Sequence, residues 1–549
     1  MSHDSNLSRQ DSNLKADVQA IEGGSIPEAS HKAATEKTME EMQAQLAAAR
    51  VVDPGLIPGT WRFIQFHLVF LVIACCSGDS GFDGTVMSGI NAMKQYQQFF
   101  GLKDAGAKTG IVFGIYTIGQ LCGAFPASYL PDKLGRRWAM VIGNLILIFG
   151  AILTATANGN PRFLGGRFLT GMGVGLAGAP AKSYLAEITP PHHRGRYVGL
   201  LNCFYYIGQL SATGMMIATQ KWQNNLSWRL PLWIQVVMPA INAMFVLFCP
   251  ESPRWLYSVG KTDEARRVLA FLHSSTNDPN SPLIKHEMDE IIRVIALDGA
   301  DKRWWDFRPL FRTRSQRARM WMVVLIGAFG QLSGNGMVTY FLTVLLRIAG
   351  ITSQSKQITL NFVNSVTSMI GAVTGAFVVD SFGRRRLLLT GTTCLVVILA
   401  IASGLLSNPT TSQARANAGI TFIYLFMVVF SFGWTSMQAL YPAEVLSYDM
   451  RTKGLAFLTL VAQAASCINT FGLPSALAAI GYKVYVIFCI WDLFEVVVIW
   501  FTVVETKGLT LEEIENVFEN PSPVKYSIEL AANNRATIKA AHAAAHDAV

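Results

Sequence analysis

"DKLGRR" (132–137) follows one long apolar run, and "DSFGRR" (380–385) ends another far downstream. A second pair comes in the same order: "AEITPPHHRG" (186–195) and "AEVLSYDMRTKG" (443–454), with Glu187 to Arg194 and Glu444 to Arg451 at one spacing. Arginines on loops beside apolar helices mark the cytoplasmic face. A carboxylate at the same place in both copies is not explained by that rule. Asp132, Arg136, Glu187 and Arg194, with Asp380, Arg384, Glu444 and Arg451, are therefore expected to form a cytoplasmic gate. Its acid–arginine pairs would latch the two copies together and break when they rock apart.

Each motif sits between stretches long enough to cross a bilayer, which takes ~20 apolar residues in a helix. Twelve such stretches are expected, six on either side of a polar centre. The first six lie near 64–88, 109–131, 138–157, 163–187, 197–219 and 231–249; the second six lie near 320–347, 358–380, 387–406, 419–441, 455–477 and 483–504. Composition agrees. The 549 residues are 51% hydrophobic and only 15% charged, with mean hydropathy +0.33, whereas soluble chains carry about 25% charged residues. The fold class is an all-α membrane protein of twelve helices in two pseudo-symmetric six-helix halves. Parallel repeats of this kind place a substrate site at mid-membrane between the halves.

The basic loops put both termini and the central segment in the cytoplasm. The expected divisions are a disordered N-terminus (1–60), a first bundle (61–249), a linker with short amphipathic helices at 262–273 and 283–297 (250–319), a second bundle (320–504) and a tail (505–549). The N-terminus lacks the order of a cleaved signal peptide.

Several chemistries are excluded. The net charge of +9 is distributed over short loops, so no nucleic-acid footprint exists. The eight cysteines lie in or beside apolar stretches without metal spacing and read as packing residues. No nucleophile–base pair or metal cluster supports an enzyme, and no cofactor is expected beyond a proton gradient as coupling ion. "GVGLAG" (173–178) matches a dinucleotide fingerprint in form, but no strand precedes it; close helix packing through small residues explains it better.

The first apolar run holds two carboxylates, Asp79 and Asp83, in "GDSGFDGTVMSGI" (78–90). An ionised Asp at mid-membrane costs at least ~2.5–3.5 kcal/mol, so an intramembrane acid is a functional candidate with a partner to be named. For Asp83 the partner is Arg167 in "GRFLTG", and the pair is the expected proton-coupling site; a static tie between two helices is the alternative. Asp79 is expected near a water-filled mouth, without a role.

The chain resembles a sugar porter of the major facilitator superfamily. The resemblance rests on "GFDGTVMSG", "DKLGRR", "DSFGRR", "GRFLTGMGVG", "PESPRW" (250–255) and "ETKGLTLEE" (505–513), spread over residues from about 60 to 520. Within that family, "GQLSGNG" (330–336), "WWDFRPLF" (304–311) and "PAEVLSYDMRTKGLAF" (442–457) resemble the fungal lactose and cellodextrin permease branch. The resemblance implies a neutral sugar as cargo, a disaccharide such as lactose or cellobiose, taken up by proton symport with alternating access. It also implies a multi-pass protein of the plasma membrane, working as a monomer in the lipid bilayer.

Sugars are bound by side-chain amides, which offer donors and acceptors together, and by aromatic faces. The candidates are Gln209, Gln331, Asn335, Asn364, Trp434, Gln438, Gln463 and Asn469. Family motifs support Gln209, Gln331 and Gln463 best. Gly330 stands where the family has a second Gln, Asn335 lies one residue early, and the usual Trp position is Ala439. Such losses suggest a roomier site. The alternatives are a proton-independent hexose facilitator, a sugar sensor, and a transporter of specialised metabolites on the same fold.

Overall fold

The computed structural model describes residues 52–102, 106–190, 194–298, 307–407, 413–447, 450–507, 509 and 511–534. Most of the expected disordered N-terminus and the last part of the tail thus lie outside the described residues.

Among the described residues, twelve long helices form in chain order. The first six are α1 (Trp61–Asn91), α2 (Ala107–Ala127), α3 (Arg136–Ala155), α4 (Asn160–Ile188), α5 (Arg194–Thr219) and α6 (Leu226–Phe248). The second six are α7 (Arg314–Ile348), α8 (Gln354–Phe382), α9 (Arg384–Leu406), α10 (Gln413–Val445), α11 (Arg451–Ile480) and α12 (Lys483–Thr502). Ten of them are apolar enough along their length to cross a membrane. The remaining two, α4 and α5, carry more glycine and polar side chains.

The two halves repeat one packing plan. In the first, α1 packs on α5, while α2 and α3 pack on α4; in the second, α7 packs on α11, while α8 and α9 pack on α10. The halves meet through α2 with α11 and α5 with α8, a pair of contacts that the same two-fold exchange relates. Small residues allow this closeness. A Cβ on Gly175 of "GVGLAG" would stand 2.5 Å from the Gln120 carbonyl oxygen of α2, so that motif serves helix packing.

The opening motif owes its glycine to geometry at the helix starts. Gly135 and Gly383 precede α3 and α9 with φ of +93° and +92°, a region other residues avoid. A Cβ there would stand 2.6 Å from Glu251 Oε2 and 2.8 Å from Glu505 Oε2. Glu251 accepts the Arg136 N–H (3.2 Å) and Glu505 accepts the Arg384 N–H (2.9 Å). Each acid therefore satisfies an orphan amide where a helix dipole favours negative charge. "PESPRW" and "ETKG" thus hold two equivalent caps.

The linker helices Pro253–Ser258, Thr262–His273 and Pro282–Asp298 share a small core of Leu256, Leu269, Ile284 and Met288. His273 ties them to the bundle: one ring nitrogen meets Glu287 and the other lies 3.0 Å from the Ile188 carbonyl at the end of α4. Asp53 clasps the same place, accepting from the Ser275 N–H (2.9 Å), the Ser275 hydroxyl (2.8 Å) and the Ser274 hydroxyl (2.5 Å). Burial pushes the Asp53 carboxyl up, but these bonds and one from Gly55 outweigh it and lower it to about 2.

Candidate functional site

Asp83 of α1 and Arg167 of α4 are ion-paired and almost fully enclosed, at 0% and 1% exposure. The guanidinium also lies 4.4 Å from the ring centroid of Tyr116 on α2, a cation–π contact that holds it when the carboxylate is neutral. One Asp83 oxygen takes the Arg167 bond, while the other has no hydrogen-bond partner among the described residues. That second oxygen can take a proton without breaking the pair.

Three side chains that sequence reasoning missed face this pair. Tyr116 and Gln235 of α6 face Asp83, Gln235 with both amide atoms unbonded among the described residues. Tyr340 of α7 brings a phenol from the other half: a Cβ built on Gly84 would lie 3.9 Å from the Tyr340 ring and 3.4 Å from the Tyr205 hydroxyl. Gln235 is a lone amide in an apolar run, the criterion that selects Gln209, and could have been found the same way. Tyr340 has no such signal. Asp79, expected at a wet mouth, is instead 4% exposed, and neither of its oxygens is bonded among the described residues.

The amide candidates fall into two groups. Gln209 of α5 and Asn364 of α8 are buried, and Gln209 Oε1 and both Asn364 amide atoms have no partner among the described residues. Asn361, one turn earlier on α8, adds another unbonded Nδ2. These helices meet across the halves, so their spare donors and acceptors suit a molecule rich in hydroxyls. Gln331 and Gln463 are half-buried.

Around the interruption of α7, the amides are already engaged. Ser333 and Gly334, the latter with φ +91°, separate the segments ending at Leu332 and starting at Asn335. The Asn335 side chain accepts the Gly336 N–H at 2.7 Å, and Asn469 donates to the Gln331 carbonyl. Gln438 donates to the Gly330 carbonyl at 3.1 Å. A Cβ at 330 would stand 2.6 Å from that amide nitrogen, so the room left by Gly330 is filled from α10. Trp434 is fully buried and gives its indole N–H to Thr392 of α9 at 3.2 Å, inside the second half. The side chain of Ala439 lies outside the described residues.

The gate pairs differ from the expected latch. Arg136 pairs with Glu187 (3.0 Å) and with Asp132 (3.1 Å), and Arg384 pairs with Glu444 (2.8 Å). Ser252 and Thr506 donate to the same two glutamates. Each of these acid–arginine contacts joins elements of one half, and the two hydroxyls come from the segments that follow α6 and α12, so the pairs brace each half rather than clasp the two. The Arg194, Asp380 and Arg451 side chains lie outside the described residues. Toward the opposite end of the bundle, Thr343 of α7 donates to the Ser88 carbonyl of α1 (3.3 Å) and Phe113 meets Phe341 at 4.8 Å between centroids, while nearer its middle Tyr206 of α5 donates to the Ser431 hydroxyl of α10 (3.1 Å).

These features are those of a multi-pass helical bundle with a charged pair and spare amides enclosed within it. Residues 69–518 match the family model described as sugar (and other) transporter, and the chain belongs to that family, as a sugar porter with the major facilitator fold. The MFS glucose transporter mfs1 of Aspergillus flavus is 28% identical over 82% of this chain and 89% of its own. The high-affinity glucose transporter of Kluyveromyces lactis is 26% identical over 84% of this chain and 87% of its own. Among solved structures, the inward-open xylose transporter XylE from E. coli has a TM-score of 0.68, at 20% identity, over 82% of this chain and 99% of its own. The proton:xylose symporter XylE bound to 6-bromo-6-deoxy-D-glucose gives 0.68 at 21% identity, over 83% of this chain and all of its own.

Proposed function

We propose that the protein imports a neutral sugar across the plasma membrane by proton symport, with alternating access. The observation that carries this reading is the sealed Asp83–Arg167 pair, with Tyr340 of the opposite half beside it. An acid enclosed at mid-membrane releases a proton only when its surroundings open. Rocking of the halves moves α7, and Tyr340 with it, so proton access follows the same motion that admits sugar. In the sugar-bound form Gln209 and Asn364 supply hydrogen bonds from both halves.

The relatives reported above are named for glucose, and they do not single out a lactose or cellodextrin branch. Gln438 occupies the space beside Gly330 that favoured a disaccharide. A monosaccharide is the cargo these observations favour.

Asp83→Asn tests the reading in transporter-deleted yeast. The expected result is loss of uphill accumulation and of sugar-induced alkalinisation, with sugar exchange retained. Undiminished accumulation in that variant shows that the coupling proton binds elsewhere. A competition panel of hexoses and disaccharides against labelled glucose identifies the cargo.

A further inference from the structure

A second pair of acids lies where the proposed mechanism has no use for one. Asp492 and Glu495 stand one turn apart on α12, and both are 0% exposed. Asp492 is about 14 Å along the helix from Lys483, near the middle of a span that crosses the bilayer. Neither Asp492 oxygen has a hydrogen-bond partner among the described residues. Glu495 accepts the Trp491 indole N–H at 2.6 Å through one oxygen, and its other oxygen has no partner among them.

The titratable groups on the packed helices do not neutralise the pair. Arg385 of α9 gives its donors to the carbonyls of Ile499, Trp500 and Val503. Arg319 of α7 is about 20 Å along its helix from Leu332. Tyr441 of α10 donates to the Val504 carbonyl, Cys394 of α9 is exposed and Cys467 of α11 is half-buried. On α12 itself stand Tyr485 and Cys489, the latter donating to the Val396 carbonyl. Two buried carboxylates a turn apart, without a cation, cannot both stay ionised.

Aromatic residues flanking the pair reach α7 at and just before its interruption. Phe329 of α7 packs on Trp491 (6.1 Å) and on Phe494 (6.3 Å) of α12, and a Cβ on Gly334 would lie 3.4 Å from the Phe488 ring. Trp491 therefore touches α7 with its ring and the acid pair with its N–H.

We propose that Asp492 and Glu495 form a second proton-binding site, separate from Asp83, whose occupancy holds α12 against the break in α7. With a proton bound, the pair sits in its apolar surroundings; without one, negative charge drives the carboxylates toward water and loosens α12 from α7. The chemistry stands on these residues and does not depend on the cargo or on coupling through Asp83.

Infrared difference spectroscopy of the purified full-length protein tests occupancy directly. Wild type is expected to show the carbonyl stretch of a protonated, buried carboxylic acid that Asp492→Asn/Glu495→Gln lacks and Asp83→Asn keeps. An unchanged band in the double variant overturns the proposal. Glucose counterflow, which needs no proton gradient, tests the consequence: the wild-type rate changes with pH, and the double variant shows a shallower slope, the remainder being carried by Asp83. The singly substituted Asp492→Asn and Glu495→Gln, each leaving one acid, are expected to give intermediate slopes if the double variant fails to fold. A double-variant or single-variant profile that overlays wild type overturns the proposal, as does a wild-type slope that vanishes when sodium is replaced by choline.

Discussion

The Gln438 amide of α10 donates to the Gly330 carbonyl of α7 in space that any side chain at 330 would enter. Glycine is what lets a residue from a neighbouring helix hold the stretch just before the α7 interruption. Gly330→Ala places a Cβ 2.6 Å from the amide nitrogen, and the flexible Gln438 must swing away. One hydrogen bond of about 0.5–1.5 kcal/mol is lost. Membrane expression should hold, while the KM for labelled sugar changes about 2- to 10-fold. Uptake kinetics at matched expression check this.

Arg167 has two partners of different kind, the Asp83 carboxylate and the Tyr116 ring. Tyr116→Phe keeps the ring and should leave the accumulation ratio within about threefold of wild type, whereas Tyr116→Leu removes about 2 kcal/mol of buried cation–π energy. Arg167→Lys loses the planar group that meets both partners and should lower accumulation about tenfold or more. Accumulation in vesicles under an imposed proton gradient separates the three variants.

Thr343 and Ser88 join the halves toward the end away from the arginine-rich loops. A Ser88→Cys/Thr343→Cys variant, made with the native cysteines replaced, should form a disulfide under oxidant. Transport should stop and return with reductant. Undiminished uptake after verified cross-linking means that α1 and α7 need not part there during the cycle.

Asp53 anchors the segment before α1 to Ser274 and Ser275. Its carboxyl is held at about 2 in the fold, below the ordinary 3.8. The clasp is therefore at full strength above pH 4 and is lost as pH falls through 2. At neutral pH, Asp53→Asn should weaken it by about 1–2 kcal/mol, seen as faster proteolytic nicking before Trp61. Wild-type cleavage rates in the variant refute the clasp.

Membrane class, helix number and two-fold plan were readable from the chain, because hydropathy and a repeated motif are properties of a line of residues. Asp83 and Arg167 were readable too, since a charge in an apolar run demands a partner and few are on offer. The partners of the gate residues were not readable. Glu187 reaches Arg136 and Ser252 rather than the other half, because α3 packs along α4 and the segment after α6 lies beside their ends. Nor could the chain reveal that Gln438 fills the gap beside Gly330, that the Tyr340 ring comes close to Gly84, or that Asp492 and Glu495 turn inward. Those outcomes depend on which faces of separate helices meet, and facing is set by packing in three dimensions, where small residues at a few contacts decide how closely two helices approach.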